Sequence, residues 1–264
     1  MIKHAFRKVK HAFGNFTTFD GAIVLTYHRI SGKLPKSNLV VSPFEFKKQM
    51  AFLSFYSRQF EIVDCTRLIS FLISSPIQEK KNKRQKTKVL LTFDDGYQDN
   101  YLNAFSVLKK NKFPAIIFLT TGYIKGDDPD FTSYKDTSAE RDYLSTTEIK
   151  EMMNAGISFG AHTVSHPHLS QITLKEATQE IERSLQAVTN LTKNKNPPFC
   201  YPYGEYNQII KEFVIKQKAS CAFSVIPGIN HRGQDLFEIR RIDVSGFDNL
   251  SSFKYKLTDK YYSL

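Results

Sequence analysis

Six short runs of apolar, β-branched and aromatic residues punctuate the chain: Ile23 to Tyr27, Val89 to Phe93, Ala115 to Thr120, Ile157 to Ala161, Phe199 to Tyr203 and Cys221 to Val225. Runs this short, with little polar alternation, predict strands buried on both faces. Between them the pattern turns helical. Ser42-Pro43-Phe44-Glu45 combines an N-cap, a proline at the first helical position and a capping-box glutamate, and Ser145 with Glu148 and Thr173 with Glu176 repeat the box. Leu174, Ala177, Ile181, Leu185 and Val188 then fall on one helix face, and Asn154-Ala155-Gly156 predicts a helix stop. Strand and helix in alternation predict an α/β fold with a mostly parallel sheet, which either a closed barrel or a doubly wound sheet satisfies. Gly122 to Asp142, rich in Asp, Ser, Thr and Lys, predicts a long surface excursion between a strand and the next helix.

Composition narrows the class. With 41% hydrophobic and 24% charged residues, the 264-residue chain has material for a core and does not read as disordered. No repeat or composition break divides it, so one large domain is expected. No stretch has the roughly 18 to 20 uncharged apolar residues of a membrane-spanning helix. The basic N-terminus lacks the apolar run and small-residue site of a cleaved signal, so export by one is not expected. The three cysteines, Cys65, Cys200 and Cys221, form no C-x-x-C pair, and a reducing compartment fits them best.

A formal charge of +11 favours anionic partners, and its placement says which. Ile2, Phe6, Val9, Phe13 and Phe16 recur at helical spacing with Lys3, Arg7, Lys8 and Lys10 between them. Residues 1–16 thus predict a basic amphipathic helix, lying on an anionic membrane surface or packed on the domain. The second cluster, Lys80 to Lys88, has no interleaved aromatics and predicts a solvated loop. Without these two segments the body is nearly neutral, and nucleic acid is not an expected partner.

In parallel β/α folds, reactive groups gather where strands end, and here those positions are polar in a consistent way. The first predicted strand ends in Tyr27-His28-Arg29, the next in Asp94-Asp95-Gly96, another in His162-Thr163-Val164-Ser165-His166-Pro167, and another in Cys200-Tyr201-Pro202-Tyr203-Gly204. Adjacent carboxylates at the end of an apolar strand repel each other and lose hydration, and a cation relieves both costs. An aspartate pair before glycine can serve as a turn, and a single H-x-x-x-H is weak by itself. Their joint occurrence on successive strand ends favours a metal site with open positions for water.

Thr92-Phe93-Asp94-Asp95-Gly96 and His162 to Pro167 resemble the first and second motifs of the polysaccharide deacetylases, the NodB-homology domain of carbohydrate esterase family 4. The resemblance in pattern runs from about Gly21 to Leu250. It implies a distorted (β/α) barrel, seven-stranded, with residues 21–264 as the catalytic domain behind a basic segment at 1–20. It further implies removal of N-acetyl groups from an amino sugar, with one divalent metal ion: zinc first, with Co, Ni, Fe or Mn as alternatives. Carried over residue by residue, Asp95, His162 and His166 become metal ligands, Asp94 the base for the attacking water, and Tyr203 the donor of a backbone N–H to the oxyanion. A divalent ion acidifies water and polarises a carbonyl, which suits that division of labour.

Two departures accompany the resemblance. The family's third motif has an arginine two residues before the proline, where it orients the base; here Cys200 stands there, read as a small buried filler, with Arg240 or Arg241 as candidate replacements. The family's usual C-terminal Leu-x-His setting is also missing after residue 231. Leu25-Thr26-Tyr27-His28 stands near the beginning instead, as in the circularly permuted poly-N-acetylglucosamine deacetylase branch, which makes His28 the expected general acid. His168, beyond Pro167, is expected to support the site or cap a helix. Asp243 and Asp248 read as loop residues, and His4, His11 and His231 belong to no constellation.

The expected function is therefore metal-dependent N-deacetylation of a polysaccharide or lipid-linked glycan. A catalytically degenerate glycan-binding protein and a hydrolase of another non-peptide amide are the alternatives. The expected location is cytoplasmic or peripheral at the cytoplasmic membrane face.

Overall fold

A computed structural model describes residues 18–75, 85–126 and 142–262. The predicted amphipathic helix at 1–16, most of the Lys80 to Lys88 cluster and most of the Gly122 to Asp142 excursion lie outside the described residues. Among the described residues there are ten strands: β1 (Ala22–Tyr27), β2 (Arg29–Ile30), β3 (Val40–Val41), β4 (Phe60–Ile62), β5 (Thr87–Phe93), β6 (Ile116–Leu119), β7 (Ser158–Ala161), β8 (Phe199–Cys200), β9 (Ala222–Pro227) and β10 (Ile239–Asp243). The helices are α1 (Pro43–Phe55), α2 (Cys65–Ile73), α3 (Ser106–Asn111), α4 (Thr146–Asn154), α5 (Leu174–Thr192), α6 (Gln208–Lys216) and α7 (Leu250–Lys256), with a π-helical segment at Asn100–Phe105 running into α3.

Seven parallel strands close a barrel in the order β1, β5, β6, β7, β8, β9, β10 and back to β1. The expected fold class is thereby met, and closure decides between the two arrangements that alternation allowed. The barrel is distorted at one seam. Strand β4 pairs with the first half of β5 through Phe60–Thr87 and Ile62–Val89, leaving β6 only Thr92 and Phe93.

Side chains sort by strand alternation. Ile23, Leu25, Tyr27, Leu91, Phe93 and Ile117 pack outward with Phe46 and Met50 of α1 and Ile181 of α5 in one cluster. Ala22, Val24, Leu90, Ile116, Phe118 and Phe223 form a second cluster inside the barrel, into which α2 sends Leu68, Phe71 and Leu72. Gly160 serves this interior. A Cβ there would lie 2.6 Å from the Phe118 ring and 2.7 Å from the Pro198 carbonyl oxygen. Towards the other end of the strands the buried residues become polar: Thr92, Asp94, Ser224 and Arg241.

Local signals behave as their chemistry predicts, with exceptions that have causes. Both later capping boxes form reciprocally, at Ser145–Glu148 and Thr173–Glu176. At Ser42 the hydroxyl accepts from the Glu45 N–H, but the Glu45 carboxylate pairs with Lys48 at 3.0 Å. Helix α4 stops at Asn154 as predicted, with Gly156 at φ 91°. Leu174 is a correction: at the first turn of α5 it is exposed, and Ser184 and Ala187 complete the buried face instead. The run Phe199 to Tyr203 is a strand only over Phe199–Cys200, because Pro202–Gly204 turns in a 3-10 helix with Tyr203 at φ 55°. Strands β2, β3, β4 and β10 fall outside the six predicted runs. Arg240 and Arg241, the candidate replacements for the missing arginine, lie within β10.

Candidate active site

The motif residues gather where β1, β5, β7, β8 and β10 end. Asp94 follows the last residue of β5, its N–H donating to the Tyr27 carbonyl at 2.9 Å. The chain then turns at Asp95 and Gly96, with φ of 72° and 77°. Seven non-glycine residues among those described have positive φ, and they fall into two sets. Lys112 and Lys193 are helix C-caps and Lys218 follows the end of α6, where a left-handed residue is ordinary. Asp95, Thr163, His166 and Tyr203 are all at the strand ends that carry the motifs, where such conformations cost about 1–3 kcal/mol each and persist only if the surroundings enforce them.

The enforcement at the H-x-x-x-H turn is visible. The Glu180 carboxylate, reaching up from α5, accepts from the N–H groups of Val164 and Ser165 at 2.7 and 2.9 Å and from the Ser165 hydroxyl at 2.9 Å. Thr163 donates its hydroxyl to the His162 carbonyl and accepts from the His166 N–H. Held this way, the two imidazoles approach Nε2 to Nε2 at 3.1 Å, and both face Asp95 Oδ1, His162 at 3.6 Å and His166 at 3.4 Å.

These three atoms satisfy the demands of a divalent ion. Tetrahedral ligand bonds of about 2.0–2.2 Å require ligand separations of about 3.3–3.5 Å, and the observed 3.1–3.6 Å brackets them. The Cys200 carbonyl, 2.8 Å from His162 Nδ1, accepts that N–H and leaves the Nε2 lone pair facing the centre. Burial, and then the neighbouring His166, lower the His162 pKa to about 4, so its imidazole is neutral near pH 7, as a ligand must be. Asp94, His162 and Cys200 also lie close together. That second grouping is a poor donor set, because both Asp94 oxygens are engaged by an arginine and burial pushes the Cys200 thiol well above its usual pKa.

The arginine is Arg241. It is fully buried on β10 and donates Nη1 to Asp94 Oδ1 at 2.7 Å, Nη2 to Asp94 Oδ2 at 2.8 Å, and Nε to the Ser224 carbonyl at 2.7 Å. Burial by itself raises the Asp94 pKa, but the guanidinium charge and its paired hydrogen bonds outweigh this and hold the carboxyl well below the usual range. Of the two candidate replacements for the absent third-motif arginine, Arg241 is thus the one that engages Asp94, and Arg240 is exposed on the same strand. Cys200 fills the space beside them, its Sγ donating weakly to Asp94 Oδ2 at 3.7 Å. With Asp94 balanced by Arg241, Asp95 is the unbalanced carboxylate beside the two imidazoles.

His28 stands at the end of β1, with Nε2 3.9 Å from Asp94 Oδ2. Asp99 fixes the adjoining backbone, accepting from Arg29 Nε at 2.7 Å and the Ile30 N–H at 3.0 Å, while the Asn100 amide donates to the His28 carbonyl at 2.8 Å. Tyr203 is half-exposed. Its ring stacks on His168 at 3.8 Å and meets His166 edge-on at 4.6 Å, and His168 is in turn held by Glu205 at 3.1 Å. His168 therefore supports the wall of the site. Asp243 is an exposed residue at the end of β10, and Asp248 is buried against Lys256 and the Ser245 N–H. Glu180, Asp99 and Asn100 were not singled out in the sequence. Only their partners in space mark them.

The family model for polysaccharide deacetylases matches residues 81–220, just over half of the chain. The chain belongs to the polysaccharide deacetylase family. Within the matched segment lie Asp94, Asp95, His162, His166 and Tyr203, whereas His28 and Arg241 lie outside it. The chain is 29% identical over 222 residues to YxkH of Bacillus subtilis, a protein named for the same family, covering 84% of this chain and 71% of that one. It is 28% identical over 228 residues to the poly-beta-1,6-N-acetyl-D-glucosamine N-deacetylase of Staphylococcus aureus strain MRSA252, covering 78% and 72%. In fold it is similar to the Streptococcus pyogenes deacetylase PplD, solved with acetate, with a TM-score of 0.73, 23% identity, and 89% of this chain and 97% of that one covered. IcaB from Ammonifex degensii gives 0.70 at 24% identity, with 91% and 97% covered.

Proposed function

We propose that the protein is a metal-dependent N-deacetylase acting on an N-acetylated amino sugar of a polysaccharide or lipid-linked glycan. The observation that carries this reading is the convergence of Asp95, His162 and His166 beside a second carboxylate, Asp94, that Arg241 keeps ionised. Asp95, His162 and His166 would hold a divalent ion, zinc first, which when bound supplies Lewis acidity to water and to the acetyl carbonyl.

Asp94 accepts the proton of the attacking water. Its bidentate pairing fixes the plane of the carboxylate and keeps it charged across the working pH range. The Tyr203 N–H, presented by the turn at Pro202–Gly204, donates to the oxygen that gains charge as the carbonyl becomes tetrahedral. His28, protonated, delivers a proton to the leaving nitrogen so that the sugar departs as an amine and acetate remains. Because a buried arginine supports Asp94, the missing third-motif arginine no longer argues for a degenerate glycan-binding role.

The homologous N-deacetylase of Staphylococcus aureus supports a β-linked N-acetylglucosamine polymer as the first substrate to test. Residues 1–16 fit a peripheral contact with an anionic membrane, and a cytoplasmic-face location is part of the same reading. The test measures metal content and acetate release together, on polymeric and lipid-linked N-acetylhexosamines. Asp94→Asn is expected to retain the metal and lower turnover by about 10²–10⁴-fold, the usual worth of a general base. His162→Ala and His166→Ala are expected to lose metal. Loaded wild-type protein that releases no acetate from any of these substrates would overturn the reading.

A further inference from the structure

At the end of the barrel away from the motifs, two cysteines 156 positions apart meet. Cys65, the first residue of α2, and Cys221, immediately before β9, place their sulfurs 3.6 Å apart inside the apolar barrel cluster. Cys221 is fully buried. Cys65, 9% exposed, lines a cavity of about 590 Å³ between the starts of the strands, together with Thr66, Ser158, Asn196 and Ser220, and is the member of the pair nearer to solvent. Cys200 takes no part, since its Sγ faces Asp94 further up the barrel.

We propose that Cys65 and Cys221 are a thiol-oxidation site, forming an intrachain disulfide with a low-molecular-weight disulfide as oxidant. Ionised Cys65 attacks one sulfur of the oxidant, and one thiolate leaves, giving a mixed disulfide in the cavity. Cys221 then attacks the Cys65 sulfur, its proton passing to the second departing sulfur, which leaves as a thiol. The oxidant takes up two electrons and departs as two thiols, while the protein loses two hydrogens. Closing the sulfurs from 3.6 Å to the roughly 2.05 Å of a bond is a movement of side chains that already touch. The bond ties α2 to the β9 wall across a very long loop, which restricts the unfolded chain.

The test exposes the full chain, reduced and then freed of reductant, to hydroxyethyl disulfide under native conditions, followed by denaturing alkylation and mass analysis. The expected result is a fall from three alkylated cysteines to one, a mass lower by two hydrogens before alkylation, and a peptide linking Cys65 to Cys221 with Cys200 alkylated. The oxidised protein is expected to unfold several degrees higher than the reduced protein, and reductant should reverse this. In Cys221→Ala the Cys65 adduct should persist, because the resolving sulfur is gone. Three alkylated cysteines after exposure, a persistent adduct in wild type, a link through Cys200, or an unfolding midpoint that does not rise would each overturn the proposal.

Discussion

The same strands build two opposite environments at their two ends. At the end closed by α2 the interior is apolar, α2 caps the barrel with Leu68, Phe71 and Leu72, and the nearby cations Lys88 and Arg232 lie over the Phe71 ring at 4.3 and 4.6 Å. At the other end a buried guanidinium donates two hydrogen bonds to a buried carboxylate, a second carboxylate faces two imidazoles, and four non-glycine residues hold left-handed backbone. The contrast separates stability from chemistry: the first end gains free energy from burial, whereas the second spends conformational and desolvation energy to keep charges in fixed positions.

Variants sharpen that contrast, and the largest effect is expected at Arg241. Arg241→Met strands Asp94 as a buried carboxylate without its partner and should cost about 3–5 kcal/mol in denaturant unfolding, together with loss of turnover. Adding Asp94→Leu should recover much of the stability and none of the activity. If the double variant is no more stable than the single one, the cost did not come from the uncompensated charge.

Leu68→Ala at the apolar end should lower stability by about 2–4 kcal/mol through a cavity, while kcat and metal content stay unchanged at temperatures where the protein remains folded. A drop in kcat under those conditions would show that the two ends are coupled.

The pH dependence of the metal-stripped protein follows from His162. An unfolded imidazole titrates near 6.5, and the folded one only near 4, so between those values the unfolded chain binds a proton that the folded chain refuses. Stability is fully present above about pH 6.5 and should fall by about 2–3 kcal/mol as the pH drops towards 4. His162→Gln should flatten that part of the profile. The smallest effect is expected at Glu180→Gln: about 1–2 kcal/mol of stability, with metal affinity reduced about 10-fold because the His166 turn loosens. Unchanged affinity, measured by competition with a chelator, would mean that the turn holds its shape without the charge.

The sequence and the structure agree most closely where the signal is local. Capping boxes at Ser145 and Thr173 involve residues three apart, and the motif residues from Asp94 to Gly96 and His162 to Pro167 sit on strand ends that hydrophobic runs had already located. Strand β10 stayed hidden because its inward position is occupied by Arg241, which makes Ile239 to Asp243 read as a charged segment. Leu174 misled for the opposite reason: it kept the helical period but lies on the first turn of α5, beyond the edge of the contact.

Taken alone, the amino-acid sequence determined the alternating α/β pattern, the starts of α1, α4 and α5, the end of α4 and which residue types stood ready at the strand ends, because propensity, capping and periodicity act over a few neighbours. Only the tertiary structure decided that the sheet closes, that Arg241 and not Arg240 engages Asp94, that Glu180 clamps the histidine turn, and that Cys65 touches Cys221. Each of those facts depends on strand register across the barrel, which brings together residues as many as 217 positions apart, as Leu25 and Ile242 are. No local pattern along a chain encodes which distant side chain will share a layer of its interior.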